Sequence, residues 1–179
     1  MTVTISTGGP LAVPLDDLKA YLQISLPDED AALTGLIRAA SETAERFIGQ
    51  LLIVRPVDEI VPAVSAWRSL AIRPVQAITA VSGIPAEGAE FALPVENYTL
   101  DIGADGTGRV RVANPGAAGR IRVTYVAGLA SEAAALPDAI RHAIVRLAGE
   151  RHARREGLET DLPASVSALL RPWRRMVLA

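Results

Sequence analysis

The sequence predicts an α+β fold, in which an N-terminal helical pair and C-terminal helices form a small helical bundle with an inserted small antiparallel β-sheet. Hydrophobic residues recur at helical spacing through residues 13–49 and again from residue 137. Between these regions, short runs rich in Val, Ile, Thr and Tyr are separated by Gly, Pro and Asn, which is typical of hairpins. Half of the 179 residues are hydrophobic, so we expect one aliphatic core.

The first two predicted elements are amphipathic helices. Residues 13–23 repeat leucine at helical spacing and place two aspartates in the first turn, which favours a short helix. A second, longer helix should follow, capped by Ser25 and ended by Gly49. Its buried face is predicted from one apolar stripe, formed by Leu33, Leu36, Ile37, Ala40, Ala44, Phe47 and Ile48.

The middle of the chain, about 51–126, is predicted to form about five antiparallel strands. The runs GRVRV and RIRVTYV alternate in polarity, which indicates a sheet with one face in water. We expect that face to carry four arginines, Arg109, Arg111, Arg120 and Arg122. In DIGADGTG, Asp101 and Asp105 resemble part of a calcium loop, but a glycine-rich hairpin turn explains them more simply.

Residues 136–157, LPDAIRHAIVRLAGERHARREG, predict a helix that changes character along its length. Pro137 suits its first turn. Its predicted buried face comprises Ile140, Ala143, Ile144, Leu147 and Ala148. Continued at 100° per residue, the same face reaches Arg151, Arg154 and Arg155. We therefore expect the helix to offer an arginine-rich end to another molecule, although arginines also suit a helix C-terminus by themselves.

The last segment, LPASVSALLRPWRRMVLA, predicts a short helix that Pro172 ends. We expect residues 173–179 to be extended and to form a docking tail. The proposed contact residues combine apolar and basic side chains and are Trp173, Arg174, Arg175, Met176, Val177 and Leu178. A tail that packs back on its own domain is the alternative.

Charge is distributed unevenly along the chain. Residues 1–50 carry a net charge of −4, whereas residues 141–179 carry a net charge of +4 and eight arginines. Arginine suits protein interfaces as well as phosphate, so this polarity favours different partners at the two ends. A nucleic-acid-binding module that uses the arginine-rich C-terminal helices is the alternative. The sequence pI of about 5.7 and the presence of a single lysine speak against it.

The sequence offers no recognisable catalytic, metal or cofactor chemistry. Cysteine is absent, and His142 and His152 are ten residues apart, too far for a metal pair on one helix face. We expect one histidine to face solvent and the other to face an arginine-rich surface. Neither a phosphate-binding glycine loop nor a GxSxG motif occurs. We expect no signal peptide, because MTVTISTGGP has neither a basic nor a long apolar region. We also expect no membrane segment, because no run approaches about 18 apolar residues.

Three stretches together resemble one protein family. VPLDDLKAYLQISLPDEDAALTGLIRAASETAERFIG is similar to the N-terminal helices of tailed-phage head–tail connector (adaptor, or head completion) proteins. IRVTYVAGLASEAAALPDAIRHAIVRLAGERHARREG resembles their strand, turn and basic helix, and LPASVSALLRPWRR resembles their closing motif. The same family occurs in gene transfer agents. One departure is that His152 and Ala153 stand where these proteins commonly have a tyrosine.

The resemblance implies a structural role and no catalytic activity. Such proteins form a ring, usually a dodecamer, beneath the portal protein, extend the channel for double-stranded DNA, and bridge to a stopper or tail-side connector. The chain would then be made in the bacterial cytoplasm and act in the virion, at the head–tail interface. It would comprise a single adaptor domain, residues 1–171, with helices at 13–49 and 137–171. Residues 172–179 would be the portal-docking tail, and Arg151, Arg154 and Arg155 a subunit or partner interface.

Overall fold

The computed structural model describes residues 2–6, 9–154 and 162–174. Within these residues, four α-helices accompany eight strands in two antiparallel sheets, so the predicted α+β class is confirmed. The chain divides into two compact units. We call residues 1–9 and 54–129 the sheet unit, and residues 10–53 and 130–179 the helical unit.

The larger sheet of the sheet unit has five strands. They are β1 (Thr2–Ile5), β2 (Arg55–Pro62), β4 (Val75–Pro85), β5 (Phe91–Ala92) and β8 (Ala118–Ala127). The spatial order is β1-β2-β8-β4-β5, with every neighbouring pair antiparallel. Strand β8 lies at the centre of this order. Its odd-numbered residues from Ile121 to Ala127 are all buried and form the apolar face that the alternating sequence predicted.

The smaller sheet contains β3 (Arg68–Ser69), β6 (Tyr98–Ile102) and β7 (Gly108–Val112), in the order β3-β7-β6. Strands β6 and β7 form the hairpin that DIGADGTG predicted. Its turn contains Gly106 at a positive φ of 73°, a conformation that favours glycine. Asp105 accepts a hydrogen bond from the backbone N–H of Thr107 at 3.0 Å, and its carboxylate thereby stabilises the turn.

Two details of the predicted sheet were wrong. The sequence indicated about five strands in one sheet, whereas the described residues form eight strands in two sheets. Strand β1 and the two-residue strands β3 and β5 are too short to show a period. The four arginines do not share one wet face. Arg109 and Arg111 lie on β7 of the smaller sheet, whereas Arg120 and Arg122 lie on β8 of the larger sheet.

The helical unit contains α1 (Leu15–Leu22), α2 (Asp30–Ile48), α3 (Asp138–Ala153) and α4 (Ala164–Leu170). Helix α2 buries most of its predicted stripe, although Leu36 and Phe47 are only half-buried. Gly49 ends it at a positive φ of 71°, as predicted. Ser25 was wrongly predicted as the cap, because α2 begins only at Asp30 and Glu29 occupies the capping position without a side-chain cap.

Helix α3 buries all five residues of its predicted face, together with Val145 and Gly149. Gly149 lies so close to α1 that a Cβ atom there would be 2.8 Å from the ring of Tyr21. Helix α3 ends at Ala153, and Arg154 adopts a non-helical conformation, so the helix is shorter than the predicted residues 136–157. No helix in the described ranges is long and apolar enough to span a membrane.

Candidate interaction surface

The end of α3 turns its first arginine back toward its own unit. The Nη2 atom of Arg151 donates a hydrogen bond to Thr43 Oγ1 on α2 at 2.8 Å. Burial lowers the pKa of the Arg151 guanidinium, and the nearby positive charge of Arg46 lowers it further. Arg151 therefore lies on the helix face that the periodicity predicted, and its side chain contacts α2 of the same unit. Its role in partner binding stays a prediction.

Arg46 approaches the same hydroxyl from α2. Its Nη2 atom lies 3.5 Å from Thr43 Oγ1, and its side chain is exposed. The Thr43 hydroxyl donates its own proton to the carbonyl oxygen of Ala39 at 2.9 Å, so toward the arginines it can only accept. Two guanidinium groups therefore converge on one oxygen atom. Sequence reasoning missed Arg46, because nothing in local spacing relates it to a residue 105 positions later.

Of the two other arginines predicted for this surface, the structure describes only Arg154. Arg154 is exposed directly after α3, and Arg155 lies outside the described residues. Their interface role stays a prediction. Elsewhere on the unit, Arg141 forms an ion pair with Asp138 three residues earlier on α3. An arginine that pairs within its own helix in this way stabilises the helix terminus.

The two histidines occupy different environments. His142 is exposed on α3, as predicted for one of them. His152 contacts a carboxylate, with its Nε2 atom 2.8 Å from Glu29 Oε2, and the expectation that one histidine faces an arginine-rich surface stays a prediction. Leu26, which is 65% exposed, lines an open groove together with Glu29 and His152. The described part of the chain contains no cluster of three potential metal ligands.

The expected extended segment does not begin at Trp173, because this residue belongs to a short helical turn, whereas Arg174 has an extended backbone. Arg171–Trp173 form a 3-10 turn that includes Pro172. The Trp173 carbonyl oxygen accepts a hydrogen bond from Gln50 Nε2 at 2.9 Å, and the Arg174 guanidinium lies 5.3 Å from the centre of the Phe47 ring. Both contacts bind the segment to the end of α2.

The rest of the predicted tail, Arg175, Met176, Val177 and Leu178, lies outside the described residues. The portal-docking role of this segment stays a prediction. The structure adds two anchoring residues that sequence reasoning missed, Phe47 and Gln50. Phe47 was assigned to the buried stripe, but its half-buried ring also carries the guanidinium of Arg174.

The sheet unit carries a separate exposed cluster. The Arg111 guanidinium lies 4.9 Å from the ring centre of Trp67, which is 44% exposed. Arg122 instead forms an ion pair with Glu90 at 2.7 Å, and the hydrogen bond from Arg122 holds the pKa of Glu90 below its ordinary value. Arg111 and Arg122 therefore differ in their partners as well as in their positions.

Comparisons with known proteins agree with this architecture. A chain from the neck of an empty GTA particle, computed with C6 symmetry, is 25% identical, with a TM-score of 0.82 over 100% of this chain and 98% of its own. Chains from the virion of a native gene transfer agent (GTA) particle and from the neck of a native GTA particle, computed with C12 symmetry, are each 25% identical with TM-scores of 0.79 and the same coverage. No curated protein matches the chain significantly.

The comparison with family models gives the assignment. The model described as "HCP: Head completion protein" matches residues 13–152. This range includes α1, α2, both sheets except β1, and nearly all of α3. The chain therefore belongs to the head completion protein family.

Proposed function

We propose that the chain is a structural head–tail connector in the neck of a phage or phage-like particle such as a gene transfer agent. The observation that carries the proposal is the family match over residues 13–152, and the full-length likeness to chains of the GTA neck supports it. The chain would be made in the bacterial cytoplasm and work at the head–tail interface. Its role is to bind neighbours, and we assign it no catalytic step.

The proposed assembly is a ring, most simply a dodecamer. Structures of the similar neck chains were computed with C6 and C12 symmetry, and twelve copies satisfy both. A ring built from identical subunits needs two different, complementary surfaces on each copy. The −4 charge of residues 1–50 and the +4 charge of residues 141–179 supply such a pair. Arg151, Arg154 and Arg155 belong to the proposed basic surface.

The proposed partners above and below the ring are a portal protein and a stopper or tail-side connector. Double-stranded DNA would pass through the channel without sequence-specific contact. We propose that residues 1–171 act as one adaptor domain, and that residues 172–179 dock on the portal through Trp173–Leu178. The contacts of Trp173 with Gln50 and of Arg174 with Phe47 fix the base of this segment beside the end of α2, from which the following residues would reach the portal.

Electron microscopy of the purified chain mixed with its portal tests the proposal. We expect a symmetric ring of additional density on one face of the portal, bound with little change between low and moderate salt. A nucleic-acid-binding module would instead bind DNA with an affinity that falls by orders of magnitude over that range. Absence of the ring, together with salt-sensitive DNA binding, would reject the connector role and favour the alternative.

A further inference from the structure

Arg46, Thr43 and Arg151 form a group that the fold brings together from α2 and α3. The two guanidinium groups reach one hydroxyl oxygen, at 3.5 Å from Arg46 and 2.8 Å from Arg151. That oxygen donates its proton to Ala39 and can accept two hydrogen bonds at most, whereas each guanidinium group carries five N–H donors. Most of the N–H donors of both guanidinium groups therefore remain available.

The electrostatics of this group favour an anion. Burial lowers the pKa of Arg151, and the positive charge of Arg46 lowers it further, so both effects disfavour the charged form of Arg151. In the described part of the chain, neither arginine has a carboxylate within 4.0 Å. Other cations of the helical unit do have one, since Lys19 pairs with Asp30 and Arg141 with Asp138. A carboxylate between Arg46 and Arg151 would accept paired hydrogen bonds and screen their repulsion.

We propose that Arg46, Thr43 and Arg151 form a carboxylate-binding site, and that its occupant is an aspartate of a second copy of this chain, Asp16 or Asp17. Both aspartates are exposed in the first turn of α1, and within the described residues neither forms an ion pair. They belong to the acidic segment of residues 1–50. The inference rests on the proposed ring, of which it names one contact, and is separate from Arg154, Arg155 and the tail.

The protein's own composition favours this occupant over DNA phosphate. The chain has a net charge of −2 and a sequence pI of about 5.7, unlike the basic balance that is typical of duplex-binding domains. Two arginines around one hydroxyl match a single carboxylate, and the site is partly shielded from solvent at Arg151. An interface contact of this kind determines which surfaces of two copies meet.

A charge exchange between the two surfaces tests the site. Arg46→Glu is the first variant because Arg46 is exposed and its replacement leaves the Arg151–Thr43 hydrogen bond intact. The second is Asp16→Arg with Asp17→Arg, and the third combines all three changes in one chain. Arg68→Glu, which changes an exposed arginine of β3, is the matched control. Thermal melting by circular dichroism verifies that each variant is folded.

The measurement is the protein concentration at which half of the portal carries a complete ring. We expect the first two variants to raise it by roughly tenfold or more, as for other close interfacial charge pairs, and the combined variant to recover most of that loss. The control should assemble like the wild type. If Arg46→Glu assembles normally, or the combined variant is no better than the worse parent, the assignment is overturned. The assignment would also be overturned if Arg46→Glu formed normal rings but no longer retained duplex DNA. The site would then bind a DNA phosphate and not a carboxylate of a second copy.

A second experiment does not require the portal. In the Arg46→Lys variant, a carbodiimide should join the new amine to a carboxylate in contact with it, at high protein concentration or in rings. We expect cross-linked dimers whose peptides join residue 46 to Asp16 or Asp17. This result without any ring on the portal would reject the connector proposal and retain the contact between copies. Rings without this cross-link would reject the contact and retain the connector.

Discussion

Tyr125 donates a hydrogen bond from its hydroxyl to Glu59 Oε2 at 2.8 Å in the interior of the sheet unit. Glu59 pairs with Val123 across β2 and β8, so Tyr125 is its diagonal neighbour on the same face. The same oxygen accepts the backbone N–H of Ala71 at 2.9 Å, and Ile72 donates to the Tyr125 hydroxyl at 3.3 Å. A fully buried carboxylate thus holds the segment before β4 against the sheet.

We predict that Tyr125→Phe destabilises the protein. Removing the hydroxyl leaves the buried Glu59 carboxylate with one donor fewer and leaves the N–H of Ile72 without this acceptor. Loss of such a partner costs about 1–3 kcal/mol, and the midpoint of urea unfolding measures it. Tyr98→Phe is the control, because the Tyr98 side chain is partly exposed. Equal midpoints for the two variants would contradict the proposed importance of the buried pair.

Alkaline pH should destabilise the protein through the same tyrosine. Burial, together with the adjacent Glu59 charge, raises the pKa of Tyr125 above its ordinary value of 10.0. The unfolded chain therefore loses the tyrosine proton at a pH where the folded chain retains it. The stability that this group contributes is complete below the unfolded pKa and is lost as pH rises above it. The free energy of unfolding, measured from about pH 8 upward, should fall above about pH 10. The fall should be less steep in the Tyr125→Phe variant. Parallel curves of unfolding free energy against pH for the two proteins would refute this.

Reversing Arg154 and Arg155 to Glu should weaken ring formation and leave the fold intact. Arg154 is exposed and follows the last residue of α3, so a changed charge there should leave the helix in place. The expected result is a ring that needs more protein to form, with a melting temperature within a degree or two of the wild type, since surface changes are usually worth less than about 0.5 kcal/mol. Normal rings on the portal would show that this surface is not the subunit contact.

Two truncations separate the anchoring of the C-terminal segment from its docking. Deleting residues 175–179 should leave stability unchanged and weaken portal binding. Deleting residues 172–179 should also remove the Gln50–Trp173 hydrogen bond and the Arg174–Phe47 contact, which together are worth about 1–2 kcal/mol. Calorimetry and portal pull-down measure the two effects. Full portal binding by the longer truncation would exclude the segment as the anchor.

The sequence by itself determined the elements in which a regular spacing of apolar residues continues over several helical turns. The stripe of α2, the end of that helix at Gly49 and the buried face of α3 followed from spacing, because a period of 3.6 residues fixes which side chains share a face. The β6–β7 turn followed from its glycines in the same way. The family resemblance, read from three ordered stretches, was confirmed by the match over residues 13–152.

Tertiary structure decided which polar groups meet. Arg151 and Thr43 are 108 residues apart, Gln50 and Trp173 are 123 apart, and Glu59 and Tyr125 are 66 apart. Local periodicity predicts the direction of a Cα–Cβ bond, but a long arginine or glutamine side chain bonds to whatever the packed chain brings within reach. The division of the strands between two sheets is non-local for the same reason. A strand's own alternation identifies its two faces but not its neighbours, which only the folded chain selects.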